Sequence, residues 1–187
     1  TIPDIRWQTY HVGYSTPNWF FMMRDGKGGG WLNSQTGKVH YVNKANGRLQ
    51  NDAINSIVES KEGIIYLVNE KGVHASDRSQ EKFTWTAFDT HVEKERPDSG
   101  EAYGPRFSIV CLPHNRLAVE DNGNIIILDI DKRTSKIIKI PAPSPGSTEG
   151  IGGLQVDING NVYLENFGRI YRLTVGREGC FKWRVCP

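Results

Sequence analysis

The amino-acid sequence predicts an all-β protein, and three observations support this fold class. Apolar residues alternate with polar ones over short runs, which is the period of a half-buried strand. Dipeptides such as Asn122-Gly123 and Asn159-Gly160 separate these runs, because glycine adopts the positive φ that tight hairpins need. A helical spacing of apolar residues nowhere persists for three turns. We therefore expect strands joined by hairpins.

One short pattern occurs four times along the chain. Each copy contains an apolar run, a polar turn with a glycine, and a second apolar run. The turn glycines are Gly37, Gly72, Gly123 and Gly168, which lie 35, 51 and 45 residues apart. A period of about 40 to 50 residues with several short strands is typical of a propeller blade. The repeats predict a small β-propeller of about four four-stranded antiparallel blades.

The blades are expected at residues 14–50, 51–90, 104–141 and 151–187 of a single domain that covers 1–187. Each begins with an inner strand, predicted at 19–23, 54–58, 107–111 and 154–157. Outer strands are predicted at 83–85, 137–140 and 181–185, with a weak counterpart at 48–50. Residues 91–103 and 142–150 are long loops. Residues 1–13 are a candidate closing strand, which leaves the last blade with either five strands or a C-terminal tail.

Bulk composition excludes several classes of protein. A chain of 187 residues with 37% hydrophobic and 24% charged residues is typical of one soluble globular domain. The net charge of +2 lacks the basic excess of a nucleic-acid-binding protein. Apolar runs fall short of the roughly 18 to 20 residues of a membrane helix. The compartment is unknown from these features, with a lean towards export to the periplasm or the extracellular space.

Three cysteines do not form a disulfide framework. Residues 181–185, between Cys180 and Cys186, alternate like a strand, and six strand residues span roughly 20 Å. Bridged Cα atoms lie within about 7 Å, so a bond between these two is disfavoured. A Cys111–Cys180 bond and three free thiols both stay open.

Two segments resemble repeats of known propeller families. The segment from Asn55-Ser56-Ile57 through Gly63-Ile64-Ile65-Tyr66 to Gly72-Val73 resembles a two-component-regulator propeller repeat. The segment Gly160-Asn161-Val162-Tyr163-Leu164-Glu165 is similar to the same repeat and to that of streptogramin-lyase-like propellers. The resemblance implies a fold and not a function. Propellers of those families commonly have more than four blades.

Blade topology predicts where a binding site lies. The turn between the second and third strands shares a face with the connection to the next blade, where long loops are often functional. On that face, the residues three before each repeat glycine form a polar ring if the blades are equivalent: Ser34, Asn69, Glu120 and Glu165. The predicted partner-binding residues are Tyr103, Arg106, Glu120, Asp121, Glu149, Glu165 and Phe167.

Candidates for chemistry are few. Glu120 and Glu165 could form a carboxylate pair for acid–base catalysis, and His40 and His74 could face each other as zinc ligands. Turn hydration and core packing explain these residues better, so neither catalysis, a metal site nor a cofactor is predicted. Trp19 and Trp31 are expected in the core.

The function that these features favour is a non-enzymatic protein-binding module, such as an inhibitor or scaffold that binds one partner through its loop face. The partner is another protein, and nucleic acid and membrane are not expected. One alternative is a lectin-like propeller with a small sugar as ligand. A second alternative is a metal-assisted lyase, which the lyase-like repeat would imply.

Overall fold

A computed structural model describes residues 17–22, 27–50, 52, 54, 56–69, 71–88, 109–121, 124–140, 151–166, 169–175 and 181–186. These residues contain fifteen strands and no helix, which confirms the all-β prediction. None of these described residues belongs to an apolar helix long enough to span a membrane. The described residues divide into two compact units, 17–88 and 109–186.

The first unit contains two antiparallel sheets with sequential strand order. One sheet has three strands, and the other has four. The strands are β1 (Asn18–Met22), β2 (Gly29–Asn33), β3 (Val39–Val42), β4 (Ser56–Glu59), β5 (Ile65–Asn69), β6 (Gly72–Ser76) and β7 (Phe83–Ala87). Every residue of β4 and β5 is buried, which is the pattern of strands covered on both faces.

The second unit contains two four-stranded antiparallel sheets, again with sequential order. The strands are β8 (Ile109–Leu112), β9 (Arg116–Asp121), β10 (Asn124–Asp129), β11 (Thr134–Lys139), β12 (Ile151–Val156), β13 (Val162–Asn166), β14 (Arg169–Val175) and β15 (Phe181–Val185). Ala118, Ile125 and Ile127 of one sheet share a core with Leu154, Val162, Leu164, Tyr171 and Leu173 of the other.

The first sheet lacks the outer strand that was weakly predicted at 48–50. Residues 44–50 form turns and bends instead. Leu49 is 4% exposed and packs with Phe20, Trp31 and Ile57. The backbone amide of Gln50 donates to Nε2 of His74 at 3.0 Å, so it bonds to a side chain rather than to a neighbouring strand. Burial of one leucine therefore replaces a fourth strand in this sheet.

The odd number of strands reverses the first sheet relative to the second. Asn18, the first residue of β1, pairs with Asn33, the last residue of β2. Nδ2 of Asn18 donates to Oε1 of Gln80, in the β6–β7 turn, at 3.3 Å. Gly29, at the opposite end of the sheet, lies against Ile57 near the start of β4. The turn that contains Ser34 therefore lies at the end of the second sheet away from Asn69. The predicted polar ring is wrong for these two residues, because a third strand returns the chain to the opposite end.

The two sheets of the second unit have the same orientation, with their first hairpin turns at the same end. Gly160, with a φ of 80°, closely approaches Pro113, so the β8–β9 and β12–β13 turns are neighbours. The β9–β10 and β13–β14 ends of these sheets consequently lie together at the other end of the unit. This end carries the described residues of the predicted site.

Candidate functional site

Three predicted site residues lie at one end of the second unit. Glu120 and Asp121 end β9, where Asp121 pairs with Asn124. Glu165 is the penultimate residue of β13 and pairs with Ile170, as Glu120 pairs with Ile125. Glu120 and Glu165 thus hold equivalent positions in two adjacent sheets. The other predicted site residues, Tyr103, Arg106, Glu149 and Phe167, lie outside the described residues.

The two glutamates project from faces that do not oppose each other. Glu120 is two residues from buried Ala118, so it lies on the face packed against the neighbouring sheet. Glu165 follows buried Leu164 and lies on the opposite face of that neighbouring sheet, where it is exposed. Packed sheets are about 10 Å apart, and the sheet β12–β15 lies between the side chains of Glu120 and Glu165. The arrangement displays two carboxylates separately and does not form a catalytic pair.

The two candidate zinc ligands have structural surroundings. His74 is 1% exposed, and its ring centroid lies 4.3 Å from that of Trp85. Burial lowers its pKa to about 4, so the ring is neutral and its Nε2 accepts the Gln50 amide. His40 stacks on Trp31 with an interplanar angle of 7°, and burial and Lys38 lower its pKa. Neutral histidines in these positions pack the first unit.

A protein metal site requires several ligand side chains close together. Among residues with a described placement, no group of three or more His, Cys, Asp or Glu could hold a metal ion. Cys186 carries a free thiol, and Cys180 lies outside the described residues.

The oxygen-rich turn at 157–161 is organised around one carboxylate. Oδ1 of Asp157 accepts the amides of Asn159 and Asn161 at 2.9 Å, and Oδ2 accepts Nδ2 of Asn161 at 2.7 Å and the hydroxyl of Tyr163 at 3.1 Å. The Asn161 side chain contributes most to lowering the pKa of this carboxyl. The carboxylate holds a hairpin turn, as the sequence predicts, and anchors Tyr163.

One residue missed by the sequence is Trp19, which is 41% exposed rather than in the core. It alternates with Phe20, which is 2% exposed, and pairs with Leu32. Together with Leu32, Val39 and Tyr41 it forms a partly exposed apolar face of the first sheet. Phe21 lies on the same face as Trp19 and is 1% exposed, so alternation along β1 does not by itself indicate the exposure of Trp19.

Comparison with known proteins found similar structures but no match to a family model or a curated sequence. Virginiamycin B lyase from Staphylococcus aureus, in a catalytically inactive form with quinupristin, matches with a TM-score of 0.59 and 15% identity, over 95% of this chain and 54% of the lyase.

Two extracellular domains from B. thetaiotaomicron also match. BT4673, described as part of a hybrid two component system, matches with a TM-score of 0.56 and 15% identity, over 91% of this chain and 21% of that domain. BT3049, described in the same way, matches with a TM-score of 0.56 and 14% identity, over 89% of this chain and 22% of that domain.

These likenesses show the β-propeller fold that the repeats predict. They also bear out the resemblance to both kinds of propeller repeat, since one match is a lyase and two belong to two component systems. At 14–15% identity the likeness concerns the fold alone. The chain spans about half the length of the lyase and about a fifth of the extracellular domains.

Proposed function

We propose that this chain is a non-enzymatic protein-binding module, an inhibitor or scaffold that binds one partner at the end of the second unit. The observation that supports this is the equivalent placement of Glu120 and Glu165 on two adjacent sheets. Both residues lie on strands, which hold side chains more precisely than loops do. Asp121 adds a third acidic residue to this end. The other predicted contacts are Tyr103, Arg106, Glu149 and Phe167, which lie outside the described residues.

The charge of this end predicts the chemistry of its partner. Acidic side chains at an interface rim attract Lys- and Arg-rich surfaces and raise the association rate. Truncating a buried, paired charge costs about 2–5 kcal/mol, whereas an exposed one costs little. Because Glu120 is half-buried and Glu165 is exposed, Glu120 is expected to contribute more. We also propose an exported location, because two fold neighbours are extracellular domains.

Affinity capture from an extract of the source organism tests the proposal. The immobilised chain is expected to retain one protein in stoichiometric amount. The variant Glu120→Lys/Glu165→Lys is expected to retain at least about tenfold less of that protein than the wild-type chain does, since two attractive contacts become repulsive.

The matched control is Glu62→Lys/Glu81→Lys, which changes the net charge equally at exposed residues of the first unit. Equal retention by the site variant and the wild type would exclude this end of the second unit. Elution by free sugars instead of salt, or retention of no protein, would exclude the protein-binding function itself.

A second candidate is carbohydrate binding, and exposed Trp19 favours it. An exposed aromatic ring on the face of a sheet can cover the apolar face of a sugar, and Tyr41 shares this face. If this function holds, Trp19→Ala should weaken retention on a glycan array at least about tenfold. Ile158→Ala, which truncates a residue 84% exposed in the second unit, should leave retention unchanged. Absence of any glycan retained by the wild-type chain would remove this candidate.

A further inference from the structure

The outer face of the sheet β12–β15 is polar and accessible. Along β14, buried Tyr171 and Leu173 alternate with Ile170, which is 51% exposed, and with half-buried Arg172. Along β15, Trp183 packs against the core, whereas Lys182 and Arg184 are exposed. The side chains of Tyr163, Arg172, Lys182 and Arg184 therefore share one face, which we call the basic face.

The register places two like charges directly opposite each other. Arg172 pairs with Arg184 across β14 and β15, and Tyr163 pairs with Arg172 across β13 and β14. Neither β14 nor β15 contains an acidic residue. The carboxylates on the same face are Glu165 and Asp157, and the latter already accepts four hydrogen bonds. Like charges opposite each other destabilise a sheet, so this pair is unfavourable in isolation.

Packing does not require these charges. Equivalent register positions in the sheet β8–β11 are Ala118 and Ile127, which pair with each other as Tyr163 and Arg172 do. Ala118 is completely buried and Ile127 is 5% exposed. Their face is covered by the neighbouring sheet, whereas Tyr163 and Arg172 are half-buried, so strand pairing at these register positions does not depend on charged side chains.

Contacts on the reverse side hold the basic face in place. Nε1 of Trp183 donates to the carbonyl of Lys139 at 3.1 Å, and Nζ of Lys136 lies 4.5 Å from the centroid of the Phe181 ring. These two contacts attach β15 to β11. The hydroxyl of Tyr163 is held by Asp157. Lys182 and Arg184 are thus displayed on a strand whose other side is packed, which reduces the ordering cost of binding.

We propose that the basic face binds an acidic polypeptide segment of a partner protein. A carboxylate between Arg172 and Arg184 accepts hydrogen bonds from both guanidinium groups and neutralises their repulsion. Lys182 contributes a second site for a carboxylate, and the ring of Tyr163 covers apolar parts of the segment. This surface differs in sign from the acidic end of the unit, although Glu165 borders both. The inference is carried by Arg172, Lys182 and Arg184, so it does not rest on the proposed function.

Fluorescence anisotropy with a fluorescein-labelled deca-glutamate peptide tests this inference at low and moderate salt. The wild-type chain is expected to bind deca-glutamate and not deca-glutamine, with weaker binding as salt rises. Arg172→Glu/Arg184→Glu is expected to weaken deca-glutamate binding at least about tenfold. Lys38→Glu/Lys44→Glu changes the net charge equally at exposed turn residues of the first unit and should leave binding within about twofold.

A milder variant separates binding from folding. Arg184→Thr removes one of the opposed cations, so it is expected to leave the melting temperature unchanged or higher while weakening deca-glutamate binding several-fold. If the cations serve only to prevent pairing of the edge strand β15, Arg184→Thr will leave peptide binding unchanged, and the inference fails. Binding of heparin in the absence of any deca-glutamate binding would likewise overturn it.

Discussion

Replacing Trp31 by alanine is expected to lower the free energy of unfolding by about 3–5 kcal/mol. Trp31 is 2% exposed, and its ring centroid lies 6.5 Å from that of Phe20, 5.1 Å from that of His40 and 6.3 Å from that of Phe83. Its removal leaves a cavity between the two sheets of the first unit, because the neighbouring rings lie on both. Urea denaturation of the two proteins measures the difference.

Trp19→Ala is the matched control, since the same substitution is made one strand away. Trp19 is 41% exposed and lies on the opposite face of the sheet, so a loss of only about 1 kcal/mol is expected. Equal losses in the two variants would show that Trp19 is as deeply packed as Trp31. That result would contradict the alternation of β1 and β2 described above.

The second large effect is a loss of stability below neutral pH caused by His74. Its pKa is about 4 in the folded chain and 6.5 when unperturbed, because burial disfavours the charged ring. The unfolded chain therefore binds the proton more readily, and the stabilisation present above pH 6.5 is lost as pH falls towards 4. A difference of about 2.5 in pKa corresponds to about 3 kcal/mol.

Denaturant midpoints measured between pH 7 and pH 4 check this effect. His74→Phe loses the acceptor for the Gln50 amide and is less stable at pH 7, but its stability should vary much less with pH. His114→Asn, at an exposed turn residue with a φ of 63°, should keep the wild-type dependence. In His74→Phe, the lowered pKa of His40 leaves a smaller dependence of stability on pH. Three carboxyl groups have a pKa lowered from the ordinary 3.8, those of Asp77, Asp129 and Asp157. They therefore titrate below the pH range of these measurements.

Local sequence patterns predicted individual strands well. The run at 181–185 coincides with β15, and its alternation of half-buried and exposed residues matches its sequence. The turn at 157–161 also follows from its residues, because an aspartate with downstream amides makes the hydrogen bonds of an Asx turn by itself. These features depend on neighbours within a few residues, which the sequence displays directly.

Equivalence between repeats was predicted less well. Gly72 is the first residue of β6 and pairs with Asn69, as Asp121 pairs with Asn124 and Asn166 with Arg169. Asn69 is therefore equivalent to Asp121 and Asn166, and not to Glu120 and Glu165. The same motif therefore occurs in two registers, and counting back from the glycine aligns Asn69 with the wrong partner. A shift of one residue moves a side chain to the other face of a sheet. The equivalent placement of Glu120 and Glu165 was consequently predictable, and that of Ser34 and Asn69 was not.

The sequence by itself determined the all-β class, most strands and the hairpin turns, because a period of two and a turn glycine act over a few residues. Tertiary structure alone decided which face of each strand is covered, since that depends on contacts far apart in the chain. Burial of Leu49 left the first sheet with three strands and reversed it, and packing of Trp183 left Lys182 and Arg184 exposed. The opposed arginines follow from strand register, which many weak long-range contacts set together.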